Sequence, residues 1–342
     1  MGKLRLFDST LRDGSHAIKH QLSADNIEQY CRYADNVGFH TIIVGHGNGL
    51  GASSLQVGIS ALGDQQMISI ARKNLTITKL GVFMLPGFGT IQDDLKPALD
   101  IGADLVCIGT HCTEADVAQQ HIEYVKERGK EVYGILMMSH LASPEKLLGE
   151  ALKMQSYGAN GVILMDSAGA STPRMVAERI SKIAESLTIG VGFHAHNNLG
   201  MAVANSFHAI EAGATIIDGT VRGFGAGAGN CALEVLAGLL YKSDIRTDID
   251  LYRILDLSEK IVSKIMPKPQ EITSDSLMSG IAGVFSGFLP HVKKTAEEFD
   301  VDSRDIFLEL GKRKIVAGQE DMIVDVALEL ANKKAKDQDL SF

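Results

Sequence analysis

The sequence predicts an α/β protein, a (β/α)8 TIM barrel followed by a helical C-terminal domain. Eight short apolar, β-branched runs recur without polar alternation, as in strands buried on both faces. They are spaced roughly 25 to 40 residues apart, which leaves room for one helix after each strand. Eight such units in about 245 residues match a closed barrel better than an open doubly wound sheet, although periodicity alone leaves the open sheet as the alternative.

The predicted strands are residues 4–7, 41–44, 80–85, 105–108, 132–137, 162–165, 189–193 and 215–217. Helix signals lie between them. Ser143 before Pro144 and Thr172 before Pro173 are typical of a helix cap and first turn, and Gly158 is typical of a helix end.

After Asp244 the pattern becomes helical, with amphipathic stretches at 251–265, 292–299, 304–310 and 322–330. Pro267 and Pro269 interrupt the helical periodicity. We therefore predict a catalytic barrel domain at 1–265 and a helical domain at 266–342.

Composition narrows the function classes. The 342 residues include 33 basic and 42 acidic side chains, a net charge of −9, and the interspersed Lys and Arg argue against a nucleic-acid groove. The four cysteines are too scattered for a disulfide framework or a zinc ribbon. Residues 1–8 lack the apolar core of a secretory signal, and no apolar run approaches the roughly 20 residues of a membrane span. We expect a soluble, cytoplasmic protein without a membrane partner.

A compact polar cluster follows the first predicted strand. Arg12, Asp13 and His16 lie within five positions there. In a barrel this is the C-terminal mouth, where active sites are built, so the three side chains can converge on one ligand. A solvated loop with Arg12 paired to Asp13 is the alternative.

A second cluster, His194 and His196, follows the seventh predicted strand. Residues i and i+2 of a strand point to the same face, so both imidazoles can reach one metal ion. Asp13 is a suitable third ligand, and iron, manganese, magnesium and cobalt all suit two histidines and a carboxylate. The alternative is a histidine pair hydrogen-bonded to Asn197 or Asn198.

Other features carry weaker predictions. The glycine-rich run 223–230 does not fit a dinucleotide or Walker motif, which favours tight packing over phosphate binding. Cys112 beside His111 is a poor nucleophile pair because adjacent residues rarely meet in attack geometry. Some polar residues after strands are candidates for the pocket, with turn or cap roles as alternatives: His46, His111, Glu114, His140, Asp166 and Ser167.

Long stretches at 8–18, 110–116, 194–196, 225–230 and 318–325 resemble the 4-hydroxy-2-oxovalerate aldolases, which are class II pyruvate aldolases. The resemblance implies the barrel shared with hydroxymethylglutaryl-CoA lyase and isopropylmalate synthase. It implies a lyase that cleaves a 4-hydroxy-2-oxoacid, such as 4-hydroxy-2-oxopentanoate, to pyruvate and an aldehyde. It also implies that the helical region docks an acylating acetaldehyde dehydrogenase, as a dimer or heterotetramer. A role in aromatic hydrocarbon catabolism fits, as does one in making a specialised metabolite.

The resemblance assigns roles to residues. Asp13, His194 and His196 match the metal ligands, with Mn²⁺ the usual ion and Mg²⁺ or Co²⁺ as alternatives. Arg12 is placed to stabilise the enolate oxygen, and His16 would be the base that accepts the 4-hydroxyl proton. The substrate-binding residues implied are Arg12, Ser167, which would hold the pyruvate carboxylate, His194 and Phe285.

Two positions depart from the family. Phe285 stands where a tyrosine is usual, and Ile43 stands where we expect a glutamate. Neutral drift is one account. The sharper hypothesis is a more apolar pocket that accepts an aldehyde larger or less polar than acetaldehyde. An acyl-CoA condensing enzyme and a weakly catalytic partner subunit of a dehydrogenase are the alternative functions.

Overall fold

In the computed structural model, which describes residues 3–316 and 318–339, eight parallel strands form a closed barrel in sequence order. The barrel closes where Arg5 and Asp8 of the first strand pair with Ile216 and Gly219 of the last. This confirms the closed barrel over the open sheet. The strands are β1 Arg5–Asp8, β2 Thr41–Ile43, β3 Lys79–Met84, β4 Leu105–His111, β5 Glu131–Met137, β6 Gly161–Asp166, β7 Gly190–Ala195 and β8 Ile216–Gly219.

Each strand is followed by a helix. Ser143 and Thr172 cap two of them as predicted, accepting hydrogen bonds from the Lys146 and Met175 amides. The barrel helices are α1 Ala24–Ala34, α2 Asp64–Asn74, α3 Lys96–Ile101, α4 Gln119–Glu127, α5 Pro144–Ser156, α6 Pro173–Ala184, α7 Ala202–Glu211 and α8 Leu233–Lys242.

Side chains alternate between two apolar clusters along each strand, as the pleat requires. In β6, Val162 and Leu164 face the helices, whereas Ile163 and Met165 face the barrel interior. The interior cluster continues without a break into the helical region, where it includes Phe285. The C-terminal helices therefore pack against the apolar cluster that fills the barrel interior.

The end of β8 differs from the prediction. The apolar run stops at Ile217, but the strand continues through Asp218 to Gly219, because the backbone ladder with Phe7 and Asp8 continues past the apolar side chains. A buried aspartate thus belongs to the strand rather than to a loop.

The helical region begins with α9 Leu251–Leu257, which passes through a π-turn into α10 Ser263–Ile265. Four further helices follow, of which the sequence pattern missed the first: α11 Ser274–Ala282, α12 Leu289–Phe299, α13 Ser303–Arg313 and α14 Asp321–Asp339. Within the described residues, no helix is long and apolar enough to cross a membrane.

Candidate active site

Three predicted metal ligands meet at the C-terminal mouth of the barrel. Asp13 begins a 3₁₀ turn after β1, His194 lies in β7, and His196 follows that strand. Their ligand atoms all lie within 4.8 Å of one another. All three residues are at most 3% exposed. The i and i+2 geometry of β7 therefore brings both imidazoles to the Asp13 carboxylate.

The surrounding residues orient these ligands. Asp218 contacts His194 Nδ1 through its carboxylate at 2.7 Å, and His194 Nε2 has no partner in the described part of the chain. Asn230 Nδ2 donates to Asp13 Oδ1 at 2.8 Å, and the Ala226 amide donates to the same oxygen at 3.1 Å. A carboxylate behind a histidine and donors behind a carboxylate are the usual support of a metal site.

The charges in the site favour the ligand forms of these side chains. Burial opposes ionisation of Asp13, but Arg12 and the neighbouring imidazoles outweigh it and hold the pKa of Asp13 well below its usual range. Burial lowers the pKa of His196 to about 4, so its imidazole is neutral at pH 7. The ionised Asp13 carboxylate, the neutral imidazole of His196 and the unpartnered buried Nε2 of His194 fit a divalent cation.

Arg12 lies directly beside this triad. Its Nη1 donates to Asp13 Oδ2 at 2.6 Å, its Nη2 lies 3.9 Å from Asp218, and its guanidinium stands 4.7 Å from the centre of the Phe83 ring. The Arg12 side chain is 4% exposed. A fixed cation is thus built into the floor of the site.

His16 packs against the loop after β2. A Cβ added at Gly47 would lie 2.3 Å from His16 Nε2, so only glycine allows this approach. The rings of His20 and His46 lie 4.9 and 6.5 Å from that of His16. Burial lowers the pKa of His16, which keeps its imidazole in the neutral form that accepts a proton.

Ser167 and Phe285 lie on the side of the mouth covered by the helical region. The Ser167 hydroxyl oxygen accepts from the Met138 amide at 3.0 Å. Phe285 is 8% exposed and packs edge-on against Phe288, at 5.5 Å between ring centres. Both Ile43 and Phe285 belong to the apolar cluster of the barrel interior.

Two of the weaker candidates, His46 and Cys112, have other roles. His46 is fully buried, with Nε2 bonded to the Gly58 carbonyl at 3.0 Å and Nδ1 accepting from the Asn48 amide, so it organises its loop.

The Cys112 thiol donates to the Met138 carbonyl, and burial raises the pKa of this thiol to about 12, which disfavours a role as nucleophile. His111 and Glu114, as candidates for the pocket, line a cavity of about 380 Å³ at the same end of the barrel as Asp13, His194 and His196.

The glycine-rich run approaches a ligand residue rather than a phosphate. A Cβ at Gly225 would lie 2.5 Å from Asp13 Oδ1, so the backbone reaches the carboxylate because glycine stands there. Packing, the favoured interpretation, is thus combined with support of Asp13 through the Ala226 amide.

Sequence reasoning missed Asp218 and the role of Asn230. A signal existed for each, since Asp218 directly follows the last apolar run and Asn230 ends the glycine-rich run. A buried acid at the end of a predicted barrel strand is a candidate partner for a histidine at the same mouth.

Comparison with known proteins adds the family context. Residues 3–261 match the HMGL-like family, and residues 270–332 match the DmpG-like communication domain. A 4-hydroxy-2-oxovalerate aldolase of Spirochaeta aurantia is 52% identical over 95% of this chain and 96% of its own. A protein of the same name from Pectobacterium atrosepticum is 51% identical over 97% and 96%. The carboxyl transferase domain of Rhizobium etli pyruvate carboxylase shares the fold, with a TM-score of 0.80 at 14% identity over 97% of this chain and 60% of that one.

Proposed function

The chain belongs to the 4-hydroxy-2-oxovalerate aldolase family, and from that premise we propose that it cleaves 4-hydroxy-2-oxopentanoate, or a close 4-hydroxy-2-oxoacid, to pyruvate and an aldehyde. It is a lyase. The observation that carries the proposal is the meeting of Asp13, His194 and His196 beside Arg12 at the barrel mouth.

Asp13, His194 and His196 would hold the divalent cation, for which we propose Mn²⁺, with Mg²⁺ or Co²⁺ as substitutes. A cation held there would supply Lewis acidity for the substrate oxygen that gains negative charge. Arg12 adds a permanent positive charge where the 2-oxo oxygen becomes an enolate oxygen. Because Arg12 is already held by Asp13, this charge needs no reorganisation during the reaction.

His16 would act as the base. Its neutral imidazole accepts the proton of the 4-hydroxyl group. The C3–C4 bond then breaks, the 4-oxygen becomes the carbonyl oxygen of the aldehyde, and the electron pair of the broken bond passes to the enolate of pyruvate. Protonation of the enolate at C3 completes pyruvate. The Gly47 backbone against the His16 ring fixes the position of the base.

Ser167 would bind the pyruvate carboxylate. Its oxygen already accepts from the Met138 amide, so its own hydroxyl proton is free to donate to a carboxylate. Phe285 and Ile43 add apolar surface to the same mouth. We therefore propose that the enzyme accepts an aldehyde larger or less polar than acetaldehyde.

The barrel domain 1–265 would carry the chemistry, and the helical domain 266–342 would dock an acylating acetaldehyde dehydrogenase, as a dimer or heterotetramer. The match of 270–332 to a communication domain supports a protein partner. The cavity of about 380 Å³ is lined by Leu85 and Met137 of the barrel and by Val316 and Gly318 of the helical region. Such a cavity suits passage of an aldehyde toward a partner docked there.

The test is pyruvate release from 4-hydroxy-2-oxopentanoate by metal-stripped protein, with and without Mn²⁺, coupled to lactate dehydrogenase and NADH. We expect turnover that requires the metal in the wild type and is lost in His194→Ala. His208→Ala is the matched control, because His208 is exposed on α7 and, among the described residues, its side chain pairs only with Glu211. Folded, Mn²⁺-loaded protein without turnover would contradict the proposal.

A further inference from the structure

Asn198, two residues beyond His196, joins three separate parts of the molecule. Its Nδ2 donates to the Ala168 carbonyl after β6 and to Ser286 Oγ of the helical region, both at 2.9 Å. Its Oδ1 accepts from the Ala228 amide of the glycine-rich run, also at 2.9 Å. The side chain is fully buried, and these three contacts provide partners for both of its polar atoms, Nδ2 and Oδ1.

The space around Asn198 is closed by glycines. A Cβ at Gly227 would lie 2.6 Å from Asn198 Oδ1, and a Cβ at Gly280 of α11 would lie 3.0 Å from Asn198 Cβ. A Cβ at Gly169 would lie 2.7 Å from the Asn198 amide nitrogen. The side-chain amide of Asn198 is therefore held in one position by the loop after β6, the loop after β8 and the helical region together.

Two more hydrogen bonds attach the same part of the helical region to the barrel. We call residues 283–286, which follow α11 and contain Phe285, the clasp segment. The Ser286 amide donates to the Ser167 carbonyl at 3.0 Å, and His140 Nε2 bonds the Gly283 carbonyl at 3.0 Å. Gly283 has φ +69° and approaches His140 closely, so glycine is needed there.

We propose that Asn198 is a positioning residue that couples the substrate site to the clasp segment, so that binding of pyruvate orders this segment and the ordered segment strengthens the binding of pyruvate. The inference rests on the proposed function, in which Ser167 binds the pyruvate carboxylate. A ligand on Ser167 restrains the loop whose carbonyl receives the Ser286 amide, and Asn198 ties Ala168 of that loop to the Ser286 hydroxyl. Coupling of this kind is reciprocal.

The first test is hydrogen exchange of the clasp segment in the full chain with Mn²⁺, with and without pyruvate. We expect pyruvate to slow exchange at the Ser286 amide at least fivefold in the wild type. Ser286→Ala removes one bond to Asn198 and should abolish most of this slowing. Asn197→Ala is the matched control, because within 3–316 and 318–339 the Asn197 side chain bonds only the Ala202 amide at the start of α7. The slowing should persist in this variant.

The second test is the kinetics of aldol addition. Ser286→Ala should raise the KM for pyruvate about three- to tenfold with kcat within twofold, and Ser286→Thr, which keeps the hydroxyl, should restore the KM. Asn198→Ala should raise the KM further, whereas Asn197→Ala should leave it unchanged. Unchanged clasp exchange on adding pyruvate to an active enzyme, or a lower melting temperature in Ser286→Ala with unaltered KM, would overturn the coupling. Absence of turnover in the wild type would refute the proposed function itself.

Discussion

The polar groups at the two ends of the barrel are paired to different extents. At the base, Tyr133 accepts from Arg5 at 2.9 Å and donates to Glu131 at 3.1 Å, and Glu131 also bonds His40 and Lys79. At the mouth, several buried polar atoms have no partner among the described residues: Arg12 Nε, Thr110 Oγ1, His194 Nε2, His196 Nδ1 and Asn230 Oδ1. At the base the named polar groups are joined in one hydrogen-bond network, whereas at the mouth several polar atoms have no partner within the described part of the chain.

We infer that the polar groups at the base serve the stability of the fold and that those at the mouth serve its function. The hydrogen bond from His40 and the pairing with Lys79 lower the pKa of Glu131 to about 2, which shows that the folded base stabilises its charge. Unsatisfied buried polar groups destabilise a fold by about 1 to 3 kcal/mol each. They persist in native proteins where a ligand, an ion or ordered water satisfies them. The mouth is therefore arranged for a ligand and the base for the fold.

Removing a mouth ligand should separate the two properties most clearly. His196→Ala should lower kcat/KM for 4-hydroxy-2-oxopentanoate by about a thousandfold or more, because the divalent cation loses a ligand. The metal-free variant should melt within about 2 °C of the metal-free wild type, because removing the unsatisfied His196 Nδ1 offsets the packing lost with the buried imidazole. Coupled assays and calorimetry measure both. A large drop in stability with retained activity would contradict the comparison.

The mouth should also be the end that loses stability in mild acid, between pH 6.5 and 4, whereas the Glu131 network at the base loses its stabilisation only below pH 4.5. Burial lowers the pKa of His46 from 6.5 to about 4. The unfolded chain then binds a proton that the folded one does not, so stability is complete above pH 6.5 and falls as the pH decreases toward 4, by about 3 kcal/mol at most. Urea unfolding at pH 8, 6 and 5 should show a shallower pH slope for His46→Gln than for the wild type.

The exposed His208 provides the control for that measurement, because its imidazole is 47% exposed on α7. His208→Gln should keep the wild-type pH slope. Equal slopes for His46→Gln and the wild type would show that other groups carry the acid sensitivity.

Opening the network at the base should weaken the fold without affecting catalysis. Glu131→Gln leaves Lys79 and His40 without their charged partner. We expect a loss of about 1 to 2 kcal/mol in the free energy of unfolding at pH 7, with kcat/KM within twofold. Urea titration and the coupled assay check this. A tenfold loss of activity at unchanged stability would show that the base takes part in the reaction.

The smallest effect concerns aldehyde preference. Phe285→Tyr introduces one hydroxyl at the mouth, and one hydrogen bond changes binding by about 0.5 to 1.5 kcal/mol. We expect kcat/KM ratios to shift two- to tenfold toward acetaldehyde over longer aldehydes in the addition reaction. Phe299→Tyr, at the end of α12, is the control. Identical ratios across the aldehyde series would rule out Phe285 as a specificity residue.

Much of the molecule follows from local sequence. Apolar runs and caps such as Ser143 depend on neighbours a few positions away, and they place eight strands and most helices correctly. The grouping of Asp13 with His194 and His196 needs only the rule that parallel strands of a barrel end at the same mouth. The sequence pattern missed the helix Ser274–Ala282 because three serines, an aspartate and a glycine among its nine residues leave too few apolar positions to show a helical period.

What the sequence by itself determined is thus the barrel, the family and the three candidate metal ligands, because strand and helix periods and short motifs are local properties. Only the tertiary structure decided how the ligands are supported and what covers the mouth. Asn230 reaches Asp13 across 217 positions, and Asn198 reaches Ser286 across 88. Such contacts depend on the closure of the barrel and the docking of the helical region, and no local pattern encodes the distance between residues that meet only in the folded chain.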